Sequence, residues 1–262
     1  MKKRIISILH HSIKSPVPNK IAEELGWGWH FKTAKALAKY GGFQAIAMRP
    51  SGLRKFIIGQ VNNVTVILTP TVKLSISNKL WKWSEISPIM AYIAKKLVNK
   101  YDYIPYIHEY RTLNSELVIR ELIDYPLVLQ HHGSYPPKYS DVSRSPKDIA
   151  GYVKSLHRDI FLRKVNGVIF VLNRHEKEYL ENLGVDAIIK VRPMAVDFSS
   201  LRPISDEEKN ELRRKYGINE DSVVLFTYVG IFREEFSIVK GAHLIPKIWK
   251  VLKKKYREIE LI

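Results

Sequence analysis

The sequence contains no cysteine, so disulfides, thiol catalysis and cysteine-based metal sites are excluded. That absence is compatible with a cytoplasmic protein. No apolar run reaches the roughly 18 residues that a membrane-spanning helix needs. The basic start of the chain is followed by only five apolar residues, Ile5 to Leu9, and then by His10 and His11 without a small-residue cleavage site. We therefore predict a first β-strand here rather than a secretion signal.

Several chemistry-bearing motifs are also missing. There is no G-x-S-x-G elbow of a serine hydrolase, and no G-x-G-x-x-G directly follows a strand as dinucleotide binding requires. The adjacent pairs His10–His11 and His131–His132 suggest a metal site at first sight. Neighbouring residues on a strand face opposite sides, however, and no carboxylate spacing converges on either pair. We therefore expect no metal site.

The charge of the chain is strongly positive. There are 43 Lys and Arg residues against 26 Asp and Glu, which gives a formal net charge of +17. This balance favours an anionic partner such as a nucleic acid, an anionic membrane surface or a phosphorylated substrate. Zinc-finger, helix-turn-helix, KH and RNP-like signatures are absent. Only the positive charge then supports nucleic-acid binding, and we do not expect a nucleic acid as the partner.

Apolar strands alternate with amphipathic helices along the first 200 residues. The predicted strands are 5–9, 43–50, 63–70, 102–110, 126–133, 166–173 and 187–193. The predicted helices are 30–42, 88–100, 113–123, 145–164 and 173–184. This alternation predicts an α/β fold in which a Rossmann-like parallel sheet is covered by helices on both faces. Such sheets bind ligands beyond the carboxyl ends of their strands, which places residues 12–28, 108–112, 131–137 and 194–198 at the functional edge.

A second α/β unit is predicted after residue 200. Residues 201–221 form a linker and a helix, which Ser205 and Glu208 begin as a capping box and Gly217 ends. From residue 222, a strand, a helix and the start of another strand form one βαβ unit. A unit of about 40 residues cannot bury both faces of a parallel sheet. We therefore expect an incomplete second Rossmann-like domain, which is either part of a larger domain or in need of a partner chain.

Four segments in sequence order carry a resemblance to a known family. They are LGWGWHFKTAKALAKYGG, PLVLQHHGS, VRPMAVDFSSLRP and VVLFTYVG with the later KGAHLIPKI. In this order they resemble the glycine-rich first loop, the active-site histidine strand, the domain-boundary segment and the donor-domain entry of retaining GT-B glycosyltransferases of group 1 type. The chain departs from the pattern at Met194-Ala195, where the family has Asn-Gly, and at Ile231, where it has arginine. The family's pair of donor-binding glutamates has no counterpart up to Ile262.

The resemblance implies a domain organisation and an activity. Residues 1–200 would be the acceptor-side domain, 201–221 the interdomain linker and helix, and 222–262 the first βαβ unit of the donor domain. The implied reaction moves a hexose from a nucleotide sugar to a glycan or lipid-linked acceptor with retention. No metal or other cofactor is expected, and this stretch of chain would be incomplete or inactive by itself.

The resemblance also implies roles for individual residues at the edge of the sheet. His132 follows a buried strand and would contact the donor sugar or the acceptor hydroxyl at the transfer point. The implied contacts to the donor phosphates and nucleotide are Gly26, Gly28, Arg233 and Lys240, and those on the acceptor side are His108, Glu109 and Ser134. A plain turn, a solvated lysine or a hydrogen-bonded loop histidine remains the alternative for each of these positions.

A non-enzymatic alternative stays open. In it, the chain is a half-protein that binds an acceptor, a membrane or a partner subunit supplying the rest of the donor domain. Trp81 and Trp83 alternate with Lys79 and Lys82, a composition that favours a membrane interface. The same segment could instead form a lid over the sheet. We expect a cytoplasmic protein with peripheral contact to the inner face of the membrane.

Overall fold

The structure is a computed structural model. It describes residues 3–9, 29–52, 55–73, 85–110, 112–132, 146–193, 202–225, 242–256 and 259–261. The chain divides into two compact units, Met1–Ala195 and Val196–Ile262, and each is described by itself below.

The first unit alternates strands and helices as the sequence pattern predicts. Its strands are β1 (Arg4–Leu9), β2 (Gln44–Ser51), β3 (Ile57–Val61), β4 (Val64–Pro70), β5 (Val72–Lys73), β6 (Glu85–Ile86), β7 (Ile104–His108), β8 (Leu127–Gln130), β9 (Gly167–Val171) and β10 (Ile188–Val191). Its helices are α1 (Trp29–Tyr40), α2 (Pro88–Tyr101), α3 (Leu113–Glu121), α4 (Pro146–Phe161) and α5 (Arg174–Asn182).

Eight of these strands form one sheet in the order β10-β9-β8-β7-β1-β2-β4-β3. Every neighbouring pair is parallel except β3 and β4. The chain runs outward from β1 to β4, then returns through α2 to β7 on the other side of β1. The strand order therefore reverses between β1 and β7, and such a switch point opens a crevice at the carboxyl ends of the two strands.

Apolar side chains of the sheet alternate between two cores. Ile6 and Ile8 belong to the larger core, together with apolar residues of α2, α3 and α5. Ile5 belongs to the smaller core, where Phe31 and Ala34 of α1 pack. Because successive strand residues face opposite sides, an almost continuous apolar strand is stable only when helices cover both faces. The predicted α/β class with a Rossmann-like, mainly parallel sheet is confirmed.

The edge strand β3 was not predicted from the sequence. It forms a hairpin with β4 through Asn62 and Asn63, which have φ angles of 49° and 62°. A two-residue turn with two left-handed residues matches the twist of an antiparallel pair, and asparagine tolerates that conformation well. The signal was therefore in the sequence, but Gly59 and Gln60 interrupt the alternation that identifies a strand.

The second unit contains α6 (Asp206–Lys215), β11 (Val223–Leu225), α7 (Ile245–Lys255) and β12 (Ile259–Leu261). Strands β11 and β12 pair in parallel. The capping box predicted at the start of α6 is confirmed: the Ser205 hydroxyl accepts from the Glu208 amide, and the Glu208 carboxylate accepts from the Ser205 amide. The boundaries at residues 200 and 222 stay predictions. Within the described ranges, no helix is long and apolar enough to cross a membrane.

Candidate active site

A group of polar side chains lies at the switch point of the large sheet. His108 ends β7, His132 follows β8 by two residues, and Ser7 lies in β1. The register pairs Leu9 with His108 and His108 with Gln130, so these strands end side by side at one edge. His108 and His132 lie at this edge because each comes where an apolar strand ends.

Three hydrogen bonds join these residues in a row. The Ser7 hydroxyl donates to the main-chain carbonyl of His30, at 2.8 Å. Ser7 Oγ lies 3.0 Å from His108 Nε2, and His108 Nδ1 lies 3.0 Å from His132 Nε2. The imidazole rings of His108 and His132 are 5.2 Å apart between centroids and tilted by 35°. We call the row formed by His30, Ser7, His108 and His132 the histidine relay.

Tyr106 supports the histidine relay from the same face of β7. Its ring stacks on that of His108, with centroids 4.6 Å apart and planes 15° apart. Its hydroxyl donates to Gln130 Oε1 at 2.5 Å. Burial raises the pKa of Tyr106, and the nearby positive charge of Arg192 opposes that rise. The tyrosine therefore stays protonated and holds the ring of His108 in place.

His131 turns to the opposite face of the sheet, as alternation along the strand requires. Its ring is fully buried and pairs with the carboxylate of Glu176 through Nδ1. The hydroxyl of Tyr110 donates to the same carboxylate at 2.8 Å, and Glu109 Oε1 lies 3.6 Å from His131 Nε2. This buried network fixes the backbone that leads directly into His132.

Glu109 adopts an unusual backbone conformation beside this network, with φ at 63°. Its amide donates to the Gln130 carbonyl at 2.7 Å, and its own carbonyl accepts from the Ser115 hydroxyl at 2.5 Å. A left-handed glutamate costs about 1–3 kcal/mol, which its surroundings must offset. Strain of this kind is concentrated at functional sites, and here it lies next to the end of β7.

The structure brings two of the predicted site residues together and separates a third. His108 and His132, predicted on the acceptor side and at the transfer point, are in direct contact. Glu109 was grouped with His108, but its carboxylate lies beside His131. The other predicted site residues lie outside the described residues: Gly26, Gly28, Ser134, Arg233 and Lys240.

Sequence reasoning missed both Ser7 and Glu176. A serine inside the apolar strand IISIL was a signal, because a buried hydroxyl needs a hydrogen-bond partner. Glu176 follows Asn173 by three residues, a spacing typical of a capping box at a helix start. Asn173 does accept from the Glu176 amide, while the Glu176 carboxylate is buried against His131 and Tyr110. A glutamate three residues after an asparagine fits both roles, and only the fold distinguishes them.

Metal binding has no ready-made site in the part of the chain that the structure describes. No group of three or more His, Asp or Glu side chains there is arranged to hold a metal ion.

Comparison with known proteins gives fold-level similarity only. No protein-family model matches the sequence, and no curated protein matches it. Among solved structures, a sucrose-phosphate synthase from Thermosynechococcus elongatus matches with a TM-score of 0.56 and 12% identity, over 100% of this chain and 70% of that one.

Two further solved structures match less well. A glycosyltransferase from Rickettsia africae has a TM-score of 0.46 and 15% identity, over 100% of this chain and 68% of its own. Anabaena HepE in complex with UDP-glucose has a TM-score of 0.45 and 10% identity, over 99% of this chain and 68% of its own. The likeness to the sucrose-phosphate synthase supports the GT-B-type fold that the sequence predicted.

Proposed function

We propose that this protein is a glycosyltransferase that moves a hexose from a nucleotide sugar to a hydroxyl of a glycan or lipid-linked acceptor. The contact between His108 and His132 at the switch point carries the proposal. Ligands of open α/β sheets bind at such a point, and imidazole nitrogens are suited to hydrogen-bonding sugar hydroxyls there. The fold shared with a sucrose-phosphate synthase agrees with this activity.

In the proposed reaction the bond between the anomeric carbon and the diphosphate oxygen breaks, and a bond to the acceptor oxygen forms with retention. The nucleoside diphosphate leaves with the bonding electrons, and its departing oxygen takes up the proton that the acceptor hydroxyl gives up. Charge develops on the diphosphate, and cationic side chains with main-chain amides stabilise it. We assign that task to Arg233, Lys240 and the loop with Gly26 and Gly28. His132 binds a hydroxyl at the transfer point, and no metal takes part.

The test is release of nucleoside diphosphate from a panel of UDP-, GDP- and ADP-hexoses, with and without oligosaccharide or polyprenyl-phosphate acceptors. We expect at least one donor to be consumed, with no loss of rate in EDTA. His132→Ala should lower the rate by about 100-fold or more. The matched control is His157→Ala, which removes an exposed imidazole from α4. Equal rates in His132→Ala and the wild type would refute the role of His132.

A second candidate function is binding through the second unit. Ile248 and Val251 of α7 are 53% and 66% exposed, beside the basic run Lys253 to Lys255. An amphipathic basic helix can lie on an anionic membrane or pack against a partner chain. Cosedimentation with phosphatidylglycerol vesicles, set against phosphatidylcholine vesicles, tests the peripheral membrane location. Light scattering of the protein without lipid tests association with another chain.

A further inference from the structure

The direction of each hydrogen bond in the histidine relay follows from its anchor at His30. A main-chain carbonyl can only accept, so the Ser7 hydroxyl must use its single proton on His30. Ser7 Oγ therefore has only lone pairs left for His108. The 3.0 Å contact is then a bond in which His108 Nε2–H donates to Ser7.

The tautomer of His108 determines that of His132. A neutral imidazole with its proton on Nε2 has a lone pair on Nδ1. His108 Nδ1 therefore accepts, and the partner 3.0 Å away, His132 Nε2, must carry the donating proton. In the neutral relay the only lone pair of the His132 ring is then on Nδ1.

We infer that Ser7 and His108 are positioning residues that hold His132 in the Nε2–H tautomer, with Nδ1 as its hydrogen-bond acceptor. The anchor is rigid because Ser7, His30 and His108 are each 0% exposed. Stacking on Tyr106 further restricts the ring of His108. Hydrogen bonds in such a low-dielectric interior are stronger than in water and polarise one another along the row.

The consequence for the ligand rests on the proposed function. An acceptor at Nδ1 binds a group that donates, such as a sugar hydroxyl, and disfavours a phosphate oxygen, which needs an N–H. The relay thereby assigns His132 to the sugar or acceptor hydroxyl and not to the diphosphate.

Nitrogen NMR of the full chain labelled at its histidines tests the tautomers without any substrate. Two-bond and three-bond couplings from the ring carbons' protons distinguish a protonated from an unprotonated ring nitrogen, and His108→Asn and His132→Asn identify the signals. At a pH where both rings are neutral we expect Nε2–H and bare Nδ1 for both His108 and His132. A proton on Nδ1 of His132 would overturn the inference.

Two serine variants separate positioning from general support of the fold. Ser7→Ala removes the acceptor for His108, so both rings should populate the Nδ1–H tautomer. Ser87→Ala is the control, because Ser87 is equally buried and donates its hydroxyl to the Pro70 carbonyl; it should leave both tautomers unchanged. Unchanged tautomers in a folded Ser7→Ala variant would contradict a positioning role. If that variant does not fold, Ser7→Thr, which keeps the hydroxyl, must preserve the wild-type spectrum.

Failure of the relay and failure of the proposed function give different results. If a protein whose His132 carries Nδ1–H releases nucleoside diphosphate, the inference about the tautomers is wrong and the proposed transferase activity stands. In an active protein, Ser7→Ala should lower turnover by about tenfold, the worth of roughly one hydrogen bond. Wild-type turnover in Ser7→Ala with altered tautomers would show that the tautomer does not matter to the ligand. If the predicted tautomers are observed but no donor is turned over, the inference about the histidine relay holds and the proposed transferase activity is refuted.

Discussion

At the residue scale, single hydrogen bonds determine which way the site's rings face. Tyr106 is the clearest case outside the relay, because it stacks on His108 and donates to Gln130 from the same strand face. Its hydroxyl is buried, so the neutral form is the one that the fold stabilises. Removing the hydroxyl leaves an amide oxygen of Gln130 without that donor.

We expect Tyr106→Phe to lower the free energy of unfolding by about 1–2 kcal/mol, measured by urea unfolding near neutral pH. The pH dependence of this stabilisation follows from the raised pKa of Tyr106. The stabilisation is full below about pH 10 and is lost as pH rises through the pKa of Tyr106 in the folded protein. The variant should therefore lose less stability than the wild type between neutral pH and pH 11. Tyr92→Phe, at a 64% exposed tyrosine, is the control and should change neither quantity. A steeper alkaline loss in Tyr106→Phe would contradict this account.

Sequence reasoning reached some site residues and missed others for a physical reason. His108 and His132 were found because each follows an apolar strand, and strand ends are readable in a sequence. Ser7 and Glu176 were missed because their partners, His108 and His131, lie far away along the chain. A long-range contact between polar residues leaves no periodic pattern behind it.

At the element scale, the pairing of β8 with β9 leaves no room for a side chain at Gly167. Gly167 opens β9 with φ at 122°, opposite Leu127. A Cβ built at this glycine would lie 2.2 Å from the Leu127 carbonyl oxygen. The pairing of β8, which leads into His131 and His132, therefore depends on the absence of a side chain here.

Gly167→Ala should destabilise the protein by about 3 kcal/mol or more, since the clash is with backbone and the φ angle is unfavourable. Gly59→Ala on the edge strand β3 is the matched control, because its Cβ would meet nothing within 4 Å. Its effect should stay within about 0.5 kcal/mol. Thermal unfolding of the two variants side by side measures the difference, and equal midpoints would show that β8 and β9 can separate without cost.

The cap at the start of helix α6 lowers the pKa of a glutamate, and that shift can be measured. The hydrogen bonds from Arg202 lower the pKa of Glu208, and the Ser205 amide adds to the effect. The stability of this cap is therefore present above the ordinary glutamate pKa and is lost as pH falls through the lowered one. NMR titration of Arg202→Ala should show the Glu208 pKa closer to its ordinary value. Lys209→Ala, which removes the 3.9 Å contact to Asp206, should leave it unchanged.

Elements were predicted from the sequence where one periodicity dominates and missed where it is broken. The alternation of apolar strands with amphipathic helices predicted the succession of the parallel strands along the chain and the position of α2. Strand β3 was missed because its exposed Gly59 and Gln60 carry no burial pattern. Edge strands bury little, so their sequences are weakly constrained.

At the scale of the whole molecule, the two units differ in how much core they contain. All buried apolar residues among those described lie between Ile5 and Ala187, whereas α6 and α7 have no buried residue. Buried apolar area provides most of the stabilisation of a fold. The first unit should therefore hold most of the stability of the chain.

Hydrogen exchange on the full chain tests this difference. We expect amides of β1, β7 and β8 to exchange only through global unfolding, and amides of α7 and β12 to exchange through local opening. Protection in α7 equal to that in β1 would mean that the second unit is as stable as the first.

The most direct test of the central claim is a titration of the full chain, labelled at its histidines, with UDP-, GDP- and ADP-hexoses. The account predicts that at least one of these donors shifts the ring-nitrogen signals of His132, strongest at Nδ1, and leaves the exposed His157 unchanged. If every nucleotide sugar leaves His132 unmoved at millimolar concentration, the edge of the sheet at β7 and β8 is not a sugar-transfer site and the proposed function is wrong.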